Sequence, residues 1–194
     1  SEDTPSTPLV AIEIPASDVG LSRGLYAFSC DRWDFKGIRR ESVIAYRVVE
    51  VSTGAFLNPT EAERLVVTAS RQGARLPYGA LSDTELRSAR ESHVLCEERL
   101  AEEFGERVTE FELENEHWAN QQRTSAERLA ERKITSLEQR IAKMRLEGKE
   151  RGVALANAQI KKQNEYLEAK LQRIGIGSAV EPSMNELAGG LILV

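Results

Sequence analysis

Residues 25–51 read LYAFSCDRWDFKGIRRESVIAYRVVEV, and their alternation decides the fold. Tyr26, Phe28 and Cys30 recur at every second position, the period that sets side chains on one face of a strand. Ile44, Tyr46 and Val48 do the same in 42–51. Between them DFKGIRRE holds Gly37 and many charges, which fits a hairpin loop. Working outward, LVAIEI at 9–14 has strand propensity, and VSTGAFLN supplies a turn at Gly54 with a further short strand. The expected sheet is a small antiparallel meander.

Helix signals follow. Pro59 opens an expected helix over 60–71, close to the first-turn position where its missing N–H costs nothing, and Gly73 stops it. Residues 74–81, with Pro77 and Gly79, are expected as a loop. Ser82 and Glu85 then match a capping box, in which the hydroxyl and the carboxylate each reach the other's backbone N–H. From 83 to 173 the sequence has no proline and only three glycines, Gly105, Gly148 and Gly152. Ala130, Ile134, Leu137, Ile141 and Met144 step by alternate fours and threes, a heptad seam. Val153, Ala156, Ile160, Leu167 and Ile174 continue a comparable seam, interrupted at Gln163 and Lys170. Two seams flanking RLEGKERG predict an antiparallel helical hairpin turning near Gly148. The first helix would outreach its return arm, so its early part must pack on the sheet or the helix must bend, with 117–122 the place for a bend. The apolar end LILV at 191–194 is expected to return as a strand beside the sheet.

The fold class expected is therefore α+β: a small antiparallel sheet with one short helix, a long protruding coiled-coil hairpin, and a last strand rejoining the sheet. The expected organisation is a disordered tail over 1–8, a β-rich domain over 9–82 and a stem helix over 83–121. A hairpin over 122–174 and a linker with the final strand over 175–194 complete it. Charge divides these parts. Residues 83–121 hold 4 basic and 12 acidic side chains, net -8, whereas 122–174 hold 13 basic and 7 acidic, net +6. The whole chain carries only -5 over 194 residues, so the partner is indicated by distribution and not by the total.

Several functional classes lack their residues. No phosphate loop, GxGxxG, HExxH or GxSxG motif occurs, so no catalytic and no cofactor-binding residue is assigned. His93 and Cys96 form only a two-ligand pair, with Cys96 among apolar helix positions, and no metal site is expected. Cys30 and Cys96 do not form a CxxC, which suits a reducing compartment; no apolar run approaches the length of a membrane span, and the N-terminus lacks signal-peptide features. A cytoplasmic protein without membrane contact is expected.

The clustered cations of the hairpin are the candidate contacts: Arg140, Lys143, Arg145, Lys149, Arg151, Lys161 and Lys162. Lysine and arginine on a projecting element can neutralise phosphates or meet an acidic protein face. The same charges also suit a solvated coiled coil. A secondary contact is Arg32, Trp33, Arg39 and Arg40, with Trp33 stacking on a base and the arginines on phosphate. The preferred reading of the same residues is that Trp33 anchors the sheet while Asp34 starts a turn.

The strand pair from YAFSCDRWDFKGIRRE into SVIAYRVVEVSTG, the long Glu/Arg-rich helices and the terminal LAGGLILV resemble the C-terminal extension of bacterial Swi/Snf-type helicase-like ATPases. That group includes relatives of the RNA-polymerase-associated ATPase. The resemblance covers about residues 20–194. It implies that ATP binding and translocation belong to upstream motor lobes, and that this chain is an accessory domain positioning the motor on DNA, RNA or a protein such as RNA polymerase. The rival reading is a coiled-coil adaptor or homodimerisation module, since a second chain can bury a heptad seam equally well.

Overall fold

The computed structural model describes residues 10–77 and 79–194; the tail expected over 1–8 lies outside them. Along the chain run β1 (Val10–Glu13), α1 (Ala16–Val19), β2 (Leu25–Lys36), β3 (Arg40–Glu50) and β4 (Ala55–Phe56). They are followed by α2 (Pro59–Gln72), β5 (Ala74–Arg75), α3 (Asp83–Leu146), α4 (Glu150–Ser178) and β6 (Glu181–Leu193). The class is α+β, and α3 with α4 forms a hairpin. No helix among the described residues is long and apolar enough to cross a membrane.

The six strands lie in the order β4-β3-β2-β6-β1-β5. Residues 37–39 join β2 to β3, and so short a link can only connect antiparallel neighbours. At the other side, however, β1 runs parallel to β6, with Val10 opposite Gly190 and Glu13 opposite Leu193. The sheet is therefore mixed, which corrects the expected all-antiparallel meander. β6 enters between β2 and β1, and no short loop joins it to β1, so nothing in the connection forces them antiparallel. Gly190 allows this pairing, because a Cβ there would collide with the Val10 backbone. The two-residue β5, expected as loop, pairs with β1 through Ala74 and Arg75.

The chain divides into two compact units. The first takes in the described residues up to Asp34, Glu41–Val108 and Pro182–Val194; the second comprises Phe35–Arg40 and Thr109–Glu181.

In the first unit both faces of the sheet are covered, which explains why β2 is buried almost continuously. Tyr26 and Phe28 join Val48, Ile192 and the α2 residues Ala62, Leu65, Val66 and Ala69 in one core. The alternate face packs on α3, with Ala27 and Leu191 against Ala89, and Trp33 against Phe104 at 5.7 Å between ring centroids. The early part of α3 thus packs on the sheet, and α3 runs unbroken through 117–122. Arg107 grips Glu41 of β3 at 2.8 Å, and Arg47 pairs with Glu103.

Caps bound the helices. Asn58 accepts from the Glu61 N–H at 2.9 Å with Pro59 in the first turn of α2. Ser82 Oγ accepts from the Glu85 N–H, while Glu85 Oε2 accepts from the Ser82 hydroxyl at 2.7 Å and the Ser82 N–H at 2.8 Å; these last two bonds, the hydroxyl's first, hold the Glu85 carboxyl below its usual range. Gly73 ends α2 without the left-handed backbone of a glycine cap, at φ -67°. It is glycine because a Cβ would strike the Ile12 side chain and the Ala69 carbonyl.

The second unit contains the hairpin. Gly148, at φ 67°, turns the chain between α3 and α4, and Ile141, Met144, Val153 and Ala156 close the tip. Phe35 stacks on Phe111 with centroids 5.1 Å apart. Asn115, only 2% exposed, accepts from the Ile38 N–H at 2.8 Å and donates to the carbonyls of Gly177 at 3.1 Å and Ser178 at 2.9 Å. Those carbonyls end α4, whose terminus has no helical partner for them. A side chain at Gly37 would collide with the Asn115 amide.

Replacing Asn115 by Ala strands the half-buried Ile38 N–H and the two carbonyls at the end of α4. It should lower unfolding free energy by about 2–4 kcal/mol, and Asn115→Asp should not rescue it, since a carboxylate cannot donate to the carbonyls. Chemical denaturation of the three proteins measures this. Deleting 190–194 removes buried Leu191 and Ile192 and should cost roughly 3–6 kcal/mol by the same measurement.

Candidate functional site

Along α4 the inward positions continue in heptad register beyond Ile160: Gln163, Leu167 and Lys170 are half-buried and Ile174 is buried. Polar residues therefore occupy two positions of the seam. Beside Gln163 the helices leave an open groove of about 670 Å³ lined by Arg132, Lys133, Ser136, Leu137, Gln159, Lys162 and Tyr166. Three of these are cations, and Tyr166 is 60% exposed, so the groove offers positive charge next to an aromatic face. That pairing suits an anionic ligand with a planar group.

The seven expected hairpin cations are all exposed. Arg140, Lys143, Arg145, Lys149 and Arg151 gather around the Gly148 turn, where the chain reverses and brings both arms together. Lys149 pairs with Glu147 at 2.7 Å, and Lys161 approaches Glu165 at 4.0 Å. Both are solvent-exposed pairs of small energetic weight. The other five make no ion pair among the described residues, so their charge faces solvent.

Trp33 is buried on β2 and packs against Phe104. Arg32 is held by Asp34 at 2.9 Å. Arg39 lies 3.5 Å over the centre of the Trp118 ring, and Arg40 is exposed. The sequence reading did not single out Arg132, Lys133 or Tyr166. The interruption of the seam at Gln163 is the one feature of the sequence from which this place could have been found.

A second group of ionisable side chains lies in the first unit. His93 and Glu97, one turn apart on α3, meet Glu186 of β6, with one ligand atom from each residue within 4.8 Å of the others. His93 Nδ1 lies 3.0 Å from the Phe28 carbonyl, which can only accept, so Nδ1 carries the proton; Nε2 sits 3.5 Å from a Glu97 carboxylate oxygen. Behind them Asp31 is 6% exposed, and its carboxyl is pushed above its usual range, first by burial and then by the charges of Glu186 and Glu97. His93 and the Trp33 indole N–H act in the opposite direction, although that N–H reaches no acceptor at hydrogen-bond geometry.

Cys30 and Cys96 are free and buried, and burial pushes their thiols up to about 11 and about 12, so neither is poised as a nucleophile. No family model, curated protein or solved structure matches this chain.

Asp31 yields a pH-dependent prediction. Because its folded-state pKa is raised, its protonation stabilises the fold below the ordinary carboxylate range, and that contribution is lost as pH rises through the folded-state value. With a chelator present, Asp31→Asn should melt above the parent at neutral pH and lose that lead at acidic pH. Thermal melts across the pH series measure the difference.

Proposed function

We propose that this chain is a non-catalytic accessory domain of a helicase-like ATPase of the Swi/Snf type, and that its basic hairpin contacts nucleic acid. The observation that supports it is the group of exposed cations on α3 and α4 that make no ion pair among the described residues: Arg140, Lys143, Arg145, Arg151 and Lys162. Charges that face solvent in this way are able to neutralise phosphates, releasing counterions as they do so. The groove with Arg132, Lys133 and Tyr166 adds a place where an unstacked base can lie beside a phosphate. In this reading ATP hydrolysis belongs to motor lobes on the same polypeptide, in the cytoplasm, and this domain sets how the motor sits on its track. DNA, RNA and a nucleic-acid-bound protein such as RNA polymerase all present the required anionic surface.

The second reading is an adaptor or homodimer unrelated to nucleic acid. Its support is apolar: Leu146 is 91% exposed, and Leu155 and Ile176 are also largely exposed on the same hairpin. A further helix packing there would cover them.

One experiment separates the two. The protein is titrated into labelled single-stranded and duplex oligonucleotides at several salt concentrations, beside a variant with Arg140, Lys143, Arg145, Lys149 and Arg151 changed to Glu. Binding should be largely independent of sequence and fall steeply with salt, with a logarithmic slope of roughly -3 to -5 if all five cations meet phosphates. The reversed variant should retain its helicity and lose binding. Identical behaviour of both proteins, together with a dimer by sedimentation, would favour the adaptor.

A further inference from the structure

We infer that His93, Glu97 and Glu186 form a binding site for a single divalent cation of the zinc class, fastening β6 to α3. The site lies in the first unit and is independent of the hairpin and its proposed role.

Three observations converge on it. First, the histidine is oriented as a ligand. With Nδ1–H committed to the Phe28 carbonyl at 3.0 Å, the lone pair of the neutral ring lies on Nε2, on the side of the two carboxylates. A backbone carbonyl on the opposite ring nitrogen is the usual support for a metal-binding imidazole. Secondly, the spacing fits. Bonds of about 2.0–2.1 Å at a tetrahedral angle put ligand atoms roughly 3.3 Å apart, and Nε2 stands 3.5 Å from the Glu97 oxygen. Glu97 and Glu186 have exposed, flexible side chains that can close the remaining distance without backbone movement.

Thirdly, Gly189 keeps the space open. A Cβ at that position would lie 2.6 Å from His93 Cε1 and 3.2 Å from a Glu186 oxygen, filling the gap between two of the ligands. Its backbone is not in the left-handed region, so conformation does not require the glycine.

The donor set selects among cations. One nitrogen with carboxylate oxygens suits zinc and its neighbours, whereas magnesium and calcium prefer oxygen alone. The role that follows is structural. Residues 181–187 of β6 are exposed while 189–192 are buried, so a metal held by Glu186 would tether the exposed half of the strand to α3.

Chelator-treated full chain is titrated calorimetrically with Zn²⁺, and separately with Mg²⁺ and Ca²⁺. The expected result is one equivalent of Zn²⁺ bound, little response to the other two, a higher melting temperature, and slower proteolysis within 181–187. Glu97→Gln and Glu186→Gln, both at exposed positions where folding is not at risk, should each weaken Zn²⁺ about 10–100-fold. Absent binding, or binding that both glutamine variants leave unchanged, would overturn the inference and reduce the group to an ordinary ion pair. An equal response to Mg²⁺ would overturn the assignment to the zinc class.

Discussion

One buried amide holds the second unit together. The terminal carbonyls of α4 need donors, and no glycine in left-handed conformation follows to reverse the chain onto them. Asn115 supplies both donors from α3 and spends its oxygen on the Ile38 N–H of the β2–β3 link. Three segments far apart in sequence are thereby fixed to one side chain. Amide chemistry is essential, because the partners are one donor and two acceptors and only a carboxamide answers both. The requirement spreads to its neighbours: Gly37 must lack a side chain to admit the amide, and Gly177 sits close against Ile38.

Much of this fold could be read in the sequence, for identifiable reasons. Strand alternation at Tyr26, Phe28 and Cys30, the Ser82–Glu85 box and the seam through Ile141 and Met144 are local patterns, each enforced by geometry within a few residues. Gly148 was legible because a reversal between two seams needs a residue tolerant of positive φ. What was hidden depends on distant partners. Nothing near Asn115 marks it among the glutamates of α3, since its bonds span 62 to 77 residues. The insertion of β6 between β2 and β1 was hidden too, because adjacency in sequence argues for adjacency in the sheet and here fails. Gly73 looked like a helix stop and is one, yet its cause is the crowding of Ile12, which only the packed sheet reveals.

The candidate sites show the same division. The clustering of cations in the hairpin was visible as composition, while the groove beside Gln163 emerged only when α3 and α4 were set face to face. The His93 group was less visible still. Glu97 is one helical turn from His93, but Asp31 and Glu186 come from strands 155 positions apart, and their convergence is a property of the sheet. Burial also sets Asp31 apart from the other acids: an exposed excess of glutamate is a solvated helix face, whereas burial pushes the Asp31 carboxyl above its usual range.

The position of β6 has a consequence for vectorial synthesis. A ribosome delivers β1, β2, β3 and all of α3 and α4 before it delivers the strand that lies between β1 and β2. Until then β1 lacks its parallel neighbour, and β2 presents an open edge able to pair with any other extended chain. The nascent chain must therefore wait with its central slot vacant while 64 residues of α3 and 29 of α4 emerge. Closing a contact between Val10 and Gly190 makes the final step of assembly a search over long loops, slow relative to helix formation and sensitive to crowding of like chains on the same message.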